Sequence, residues 1–241
     1  MDFTKDEIKE QIVRIKDQIA VAEQKAGRTA GSVALLAVSK FHPTQSVLDA
    51  LSCGQTLFGE NRVQEAKAKF TEVREKGFTP TLHIIGSLQR NKIKDAVKIA
   101  DCIESVDRIE VLQDIEKYCV AQQKTIQVLF EFHTGEESKS GFATYEDLMA
   151  AVTLCANGAL PHIVPAGFMT MAPFTQDETI VRGAFAKMRQ TAEKVRNEFP
   201  QLPLTTLSMG MSGDYLWAIA EGSTEVRIGT AIFGERNYTQ A

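Results

Sequence analysis

Apolar positions along this chain follow two alternating periods. Residues 4–26 repeat at helical spacing, with Ile8, Ile12, Ile15, Ile19 and Ala22 on one stripe. Thr4 and Glu7 form a capping-box signature at its start. Next, residues 33–39 (VALLAVS) form a short, nearly continuous apolar run, the pattern of a parallel strand buried on both faces.

The alternation repeats to the end of the chain. Pro43 suits the first position of a helix that stops at Gly54. Further strands are expected at 57–59, 82–86, 102–106, 126–132, 164–171, 206–211 and 225–233. Between them lie a helix with Val63, Ala66, Phe70 and Val73 on one face, a basic helix over 88–99 and a helix over 145–157. A long helix runs towards Phe199. Asp107 with Glu110, Thr175 with Glu178, and Ser212 are the expected caps of the helices that follow them. Eight strand–helix units with no break predict a single (β/α)8 TIM barrel over 1–241, an α/β fold with one extra N-terminal helix. A doubly wound open sheet is the rival. It would want a glycine-rich loop after an early strand, and residues 39–46 read SKFHPTQS instead.

Composition narrows the function classes. With 31 acids against 27 bases the net charge is -4, so no basic face for nucleic acid is indicated. The four cysteines form no CxxC pair and read as small buried hydrophobes in a reducing compartment. The first ten residues are too charged for a secretory signal, and no apolar run approaches a membrane span. A cytoplasmic protein with no membrane association is expected. His42, His83, His133 and His162 lack metal-ligand spacing, so no metal site is expected; His83 is read as packing within the barrel.

Barrel active sites gather at the C-terminal strand ends. Lys40 ends the first strand and shares a face with Val38 and Leu36. An apolar floor there would favour the neutral amine, the form that attacks an aldehyde. A lone strand-end lysine is more often simply solvated. The last two strands add weight. Residues 208–212 (SMGMS) and 227–230 (RIGT) fall where barrels commonly bind phosphate. Gly210 and Gly229 permit close backbone approach, and Ser208, Ser212 and Thr230 offer hydroxyls. Arg227 shares strand parity with Gly229. Asn61 ends strand two, with helix capping as its default role. Lys139, in a polar loop after strand five, is a possible second amine, though solvation is the simpler reading.

Together, LLAVSK ending at Lys40, FGENRVQE at 58–65, HIIGSLQRNK at 83–92 and SVDR at 105–108 resemble the pyridoxal phosphate homeostasis protein family (YggS/PROSC-like proteins). GEESKSG at 135–141, LSMGMSGD at 207–214 and EGSTEVRIGTAIFG at 221–234 extend the likeness to the C-terminus. The resemblance implies a barrel similar to the N-terminal domain of alanine racemase, with pyridoxal 5'-phosphate as cofactor. It implies that Lys40 forms the Schiff base and that Asn61 lies near the cofactor. Ser208, Gly229 and Thr230 would hold the phosphate, Met209 and Gly210 would shape that loop, and Arg227 would approach the pyridine nitrogen. It further implies a buffering or delivery role, with PLP-dependent apoenzymes as candidate partners and no established turnover. A monomer or weak dimer is expected.

Two segments depart from the family: residues 130–134 (FEFHT), and the loop 167–173 (GFMTMAP), which carries Phe168 where leucine is common. Both are expected to touch the barrel mouth. A racemase-like enzyme is the alternative function, but it needs an acid/base on each face of the substrate carbon. Lys40 could serve one face, and nothing places Tyr215 opposite it. A Schiff-base aldolase acting on sugar phosphates would use the same lysine and phosphate logic; the resemblance argues against it.

Overall fold

The eight expected strands close on themselves. The computed structural model describes residues 3–135 and 140–235. Its strands are β1 (Ala34–Val38), β2 (Leu57–Glu60), β3 (Thr81–Ile84), β4 (Cys102–Val106), β5 (Ile126–Glu131), β6 (Ile163–Met169), β7 (Thr206–Ser208) and β8 (Glu225–Ile228). They run parallel, in sequence order, around a closed barrel. The closing seam pairs β1 with β8, from Ala34 opposite Glu225 to Ala37 opposite Ile228.

Nine helices are described: α1 (Lys5–Lys25), α2 (Thr44–Ser52), α3 (Val63–Glu75), α4 (Ile93–Ile99), α5 (Ile109–Gln122), α6 (Tyr145–Ala156), α7 (Glu178–Glu198), α8 (Tyr215–Ala220) and α9 (Thr230–Phe233). The extra helix is α1, and its capping box forms as the sequence indicates. It lies against α2, α8 and α9. Ile8, Ile12, Ile15 and Ile19 are buried there, each contributing about 2 kcal/mol before the cost of ordering the chain.

Several boundaries differ from the sequence reading. Pro43 is the N-cap of α2, one place before the expected first turn. The basic helix begins as a 3-10 turn, Arg90–Lys92, before α4. The N-cap of α5 is Arg108, without a side-chain cap, while Asp107 pairs with the Arg108 guanidinium at 2.6 Å. Asp177 caps α7 by accepting from the amides of Thr179 and Ile180, and Thr175 Oγ1 accepts from the Asp177 amide. Asp214, not Ser212, is the N-cap of α8. The eighth strand stops at Ile228, and its expected second half coils into α9.

These strand ends matter for function. They leave residues 209–214 and 229–230 as loop and helix start at the barrel mouth.

Candidate functional site at the barrel mouth

The mouth holds a cavity of about 860 Å³, lined from several strand ends. That volume lies within the usual range for small-molecule sites. Val38 and the half-buried Lys40 line it from β1, so the strand-one face does point inward. Asn61 follows β2 and does not cap the next helix: the N-cap of α3 is Arg62. The Asn61 Oδ1 is instead buried with no hydrogen-bond partner among the described residues. Arg227, Gly229 and Thr230 line it from β8 and the start of α9, on the other side of β1 from Asn61. A Cβ at Gly229 would stand 3.1 Å from the Val38 carbonyl oxygen, so a larger residue would press on β1 at the mouth by a few tenths of an ångström. The Ile232 and Phe233 amides donate to the carbonyl of Gly229, the N-cap of α9, which leaves only the Thr230 and Ala231 amides without an acceptor in that helix.

Ser208, Met209 and Gly210 do not line the cavity. Ser208 is the last residue of β7 and is fully buried. Its hydroxyl donates to Glu104 Oε2 at 2.6 Å and accepts from Arg227 Nη1 at 2.8 Å. Met209 faces the outer core. Gly210 has φ 98°, and a Cβ there would stand 2.6 Å from the Ala218 Cβ. Its glycine serves the packing of α8 against the strand end. The lining residues of this loop come next: Met211, Ser212, Gly213 and Asp214. Ser212 was noted in the sequence as a hydroxyl donor and as a cap; the structure gives it a place at the cavity.

Beneath the mouth lies a buried network absent from the sequence reading. Arg227 Nη2 donates to the Thr170 carbonyl at 2.8 Å. His83 Nδ1 lies 2.7 Å from Glu104 Oε1 and 3.8 Å from Glu225 Oε2. Burial alone would raise the Glu104 carboxyl, but the His83 hydrogen bond, the His83 charge and Arg227 hold it below the ordinary value. Burial works against a charged His83 ring, yet Glu104 keeps its pKa above normal. Burial, then the Glu104 charge, push Glu225 up to about 8. His83 therefore packs inside the barrel as read. Donor atoms of His83, Glu104 and Glu225 lie within 4.8 Å of one another, close enough to hold a cation although their sequence spacing gave no such sign. The 2.7 Å His83–Glu104 separation is that of a hydrogen bond. The available signal was a polar residue at mid-strand in an apolar run, Glu104 within CIESV.

The other expectations find their places. The Tyr215 hydroxyl donates to Gln18 of α1, on the outer side of the barrel. Phe168 is buried against Phe130, whose ring also meets Phe142, so these rings fill the outer core, while Met169, Met171, Ala172 and Pro173 of the 167–173 loop do line the cavity. Thr134 bonds Thr170, away from the cavity lining. Lys139 lies outside the described residues. Among the described residues, no helix is long and apolar enough to cross a membrane.

Comparison with known proteins agrees with this architecture. The family described as alanine racemase, N-terminal domain, matches residues 12–237. The pyridoxal phosphate homeostasis protein of Vibrio alginolyticus is 39% identical over 235 residues, covering 96% of this chain and 99% of that one. Its namesake in Escherichia coli K12 is 35% identical over 239 residues, covering 97% and 99%. The solved structure of PipY from Synechococcus elongatus PCC7942, described as having PLP bound, superposes with a TM-score of 0.84 at 33% identity, covering 94% and 100%. An alanine racemase from Clostridium difficile 630 shares the fold alone, with TM-score 0.74, 15% identity and coverage of 98% and 58%. Matched nearly end to end by relatives of that name, the chain belongs to the pyridoxal phosphate homeostasis protein family.

Proposed function

We propose that this protein binds pyridoxal 5'-phosphate at the barrel mouth and serves in its intracellular buffering or delivery. One observation carries the reading: a single cavity gathers an amine, an arginine, an orphaned amide oxygen and a set of hydroxyls and helix-start amides. Each fits a part of the cofactor. Lys40 would hold the aldehyde carbon as a Schiff base, the aldehyde oxygen leaving as water. Ser212, Thr230 and the amides beginning α9 would take the phosphate, Ser212 standing where the sequence motif suggested Ser208. Asn61 would meet the ring's polar edge.

When bound, the cofactor supplies an aldehyde and an electron-accepting ring. Arg227 limits the second of these. A guanidinium stays charged, so a ring nitrogen facing it stays unprotonated and withdraws electrons weakly. Turnover of amino acids also needs an acid/base on each face of the reacting carbon. Among the described residues no tyrosine, histidine or cysteine lines the cavity; its one acid, Asp214, accepts from the Met211 amide at 2.6 Å, and the Tyr215 phenol is engaged with Gln18. These groups favour a carrier over an enzyme; a cytoplasmic setting, a monomer or weak dimer and apoenzymes as recipients complete the proposal.

Borohydride reduction of cofactor-saturated protein followed by peptide mapping tests the reading. A cofactor adduct on Lys40 is expected, and an unmodified Lys40 peptide would overturn it. Racemisation at ordinary enzymatic rates, lost in Lys40→Ala, would overturn the carrier assignment.

A further inference from the structure

Lys40 occupies the second position of a tight turn. The turn is closed by the His42 amide, which donates to the Ser39 carbonyl at 3.1 Å. The third position is Phe41, with φ 66°. A turn with positive φ at its third residue ordinarily calls for glycine. Phenylalanine has neither glycine's freedom nor the short polar side chain that lets asparagine bond its own backbone there. Among the described residues only Gln123 shares the feature outside glycine, and it ends α5 as an ordinary left-handed cap.

One pair of side chains on α3 grips this turn on both flanks of Lys40. Glu65 Oε1 accepts from the Phe41 amide at 2.6 Å. Lys69 Nζ donates to the Ser39 carbonyl at 2.7 Å and bonds Glu65 Oε1 at 3.0 Å. Behind them, Glu60 Oε1 accepts from Lys69 at 2.7 Å and from the Ser39 hydroxyl at 2.7 Å. The Arg62 guanidinium lies over the Phe41 ring, 5.0 Å from its centre. Lys69 and Glu60 are buried, and neither Lys69 nor Glu65 lines the cavity.

A buried ion pair is a poor means of stabilising a fold, because desolvation offsets its attraction and apolar replacements often do as well. Its contacts here converge on the two residues that bracket the lysine and on a strained backbone that persists only while something enforces it. We propose that Glu65 and Lys69 are positioning residues that hold the Ser39–His42 turn, and through it Lys40, ready to receive an aldehyde carbon. The inference rests on the cofactor reading given above. The strain at Phe41 is the counterpart of the grip: release Glu65 and Phe41 relaxes towards negative φ, swinging Lys40 off the cavity.

The experiment measures the rate and affinity of Schiff-base formation when pyridoxal phosphate is titrated into cofactor-free protein, by absorbance and by the fraction of Lys40 labelled after borohydride. Absence of Lys40 labelling in the wild type would count against the cofactor reading and not against this one. Glu65→Ala is expected to weaken affinity about ten-fold, the size set by one residue freed from a sparsely populated backbone region. Adding Phe41→Gly is expected to restore most of it, because glycine occupies positive φ without enforcement. A purely structural role for Glu65 would make the second substitution, which also removes an aromatic ring, cumulative. Wild-type affinity and rate in Glu65→Ala, or a double variant no better than the single, overturns the proposal. If Glu65→Ala does not fold, Lys69→Met with and without Phe41→Gly is read by the same outcomes.

Discussion

Two buried charged clusters flank the mouth, and they are built in different ways. The cluster behind Lys40 comes from residues 39–69, with Glu65 and Lys69 one turn apart on α3, and it lies outside the barrel wall. The cluster beneath Arg227 lies inside the barrel and joins side chains of β3, β4, β7 and β8. The first acts on backbone, fixing a turn. The second acts on a side chain, since Ser208 and the Thr170 carbonyl hold the guanidinium while Glu104 supplies the opposing charge. A local cluster can be set by helix register; an interior one requires the barrel to close first.

The contrast can be broken most strongly at Glu104. Glu104→Ala takes from His83 and Arg227 the carboxylate that faces both, leaving Glu225 at 3.8 Å from His83, and removing one partner of such a buried set costs about 3 kcal/mol or more. Urea unfolding at neutral pH should show that loss. A loss below about 0.5 kcal/mol, the level of an ordinary surface change, would mean the interior cluster is not held by charge.

Glu225 sharpens the comparison through pH. Burial and the Glu104 charge raise its carboxyl from the ordinary 4.5 to about 8, so the folded protein retains a proton that the unfolded chain has released between those values. Folding therefore takes up a proton in that window, and this contribution to stability declines as pH rises through it. Glu225→Gln cannot ionise, and its stability relative to wild type should grow from about pH 5 to a plateau above about 8, reaching about 1–2 kcal/mol. Parallel pH dependences for the two proteins would reject the buried, proton-retaining carboxyl.

The smallest expected effect separates two serines four residues apart. Ser212→Ala should weaken pyridoxal phosphate binding by about 1 kcal/mol, one hydroxyl's hydrogen bond, with the melting temperature unchanged. Ser208→Ala should lower stability instead, because it strips a bond from both Glu104 and Arg227. Equilibrium titration and thermal melts on both variants decide the matter, and a reversed pattern would return the phosphate to Ser208.

Much of this was legible from patterning. The strand–helix alternation, the capping box of α1, Lys40 facing the mouth, and Gly229 with Thr230 beside it all follow from period and position. Chain ends of elements were less legible. Thr175 and Ser212 have the chemistry of helix caps, but so do Asp177 and Asp214 two residues on, and packing of α7 and α8 selected between them. The eighth strand was read five residues too long because Thr230–Phe233 is apolar in either conformation; burial of Ile232 and Phe233 beside α1 is met by a helical turn.

The sequence by itself determined the barrel, the lysine at its first strand end and the family to which the chain belongs, because hydrophobic period and motif spacing are properties of neighbours along the chain. Tertiary structure alone decided which serine opens to the cavity, that Asn61 has an oxygen there with no partner among the described residues, and that Phe41 is strained beside Lys40. Each of those depends on where β2, β7 and α3 end relative to one another, and that is set only when the closed sheet fixes the register of all eight strands.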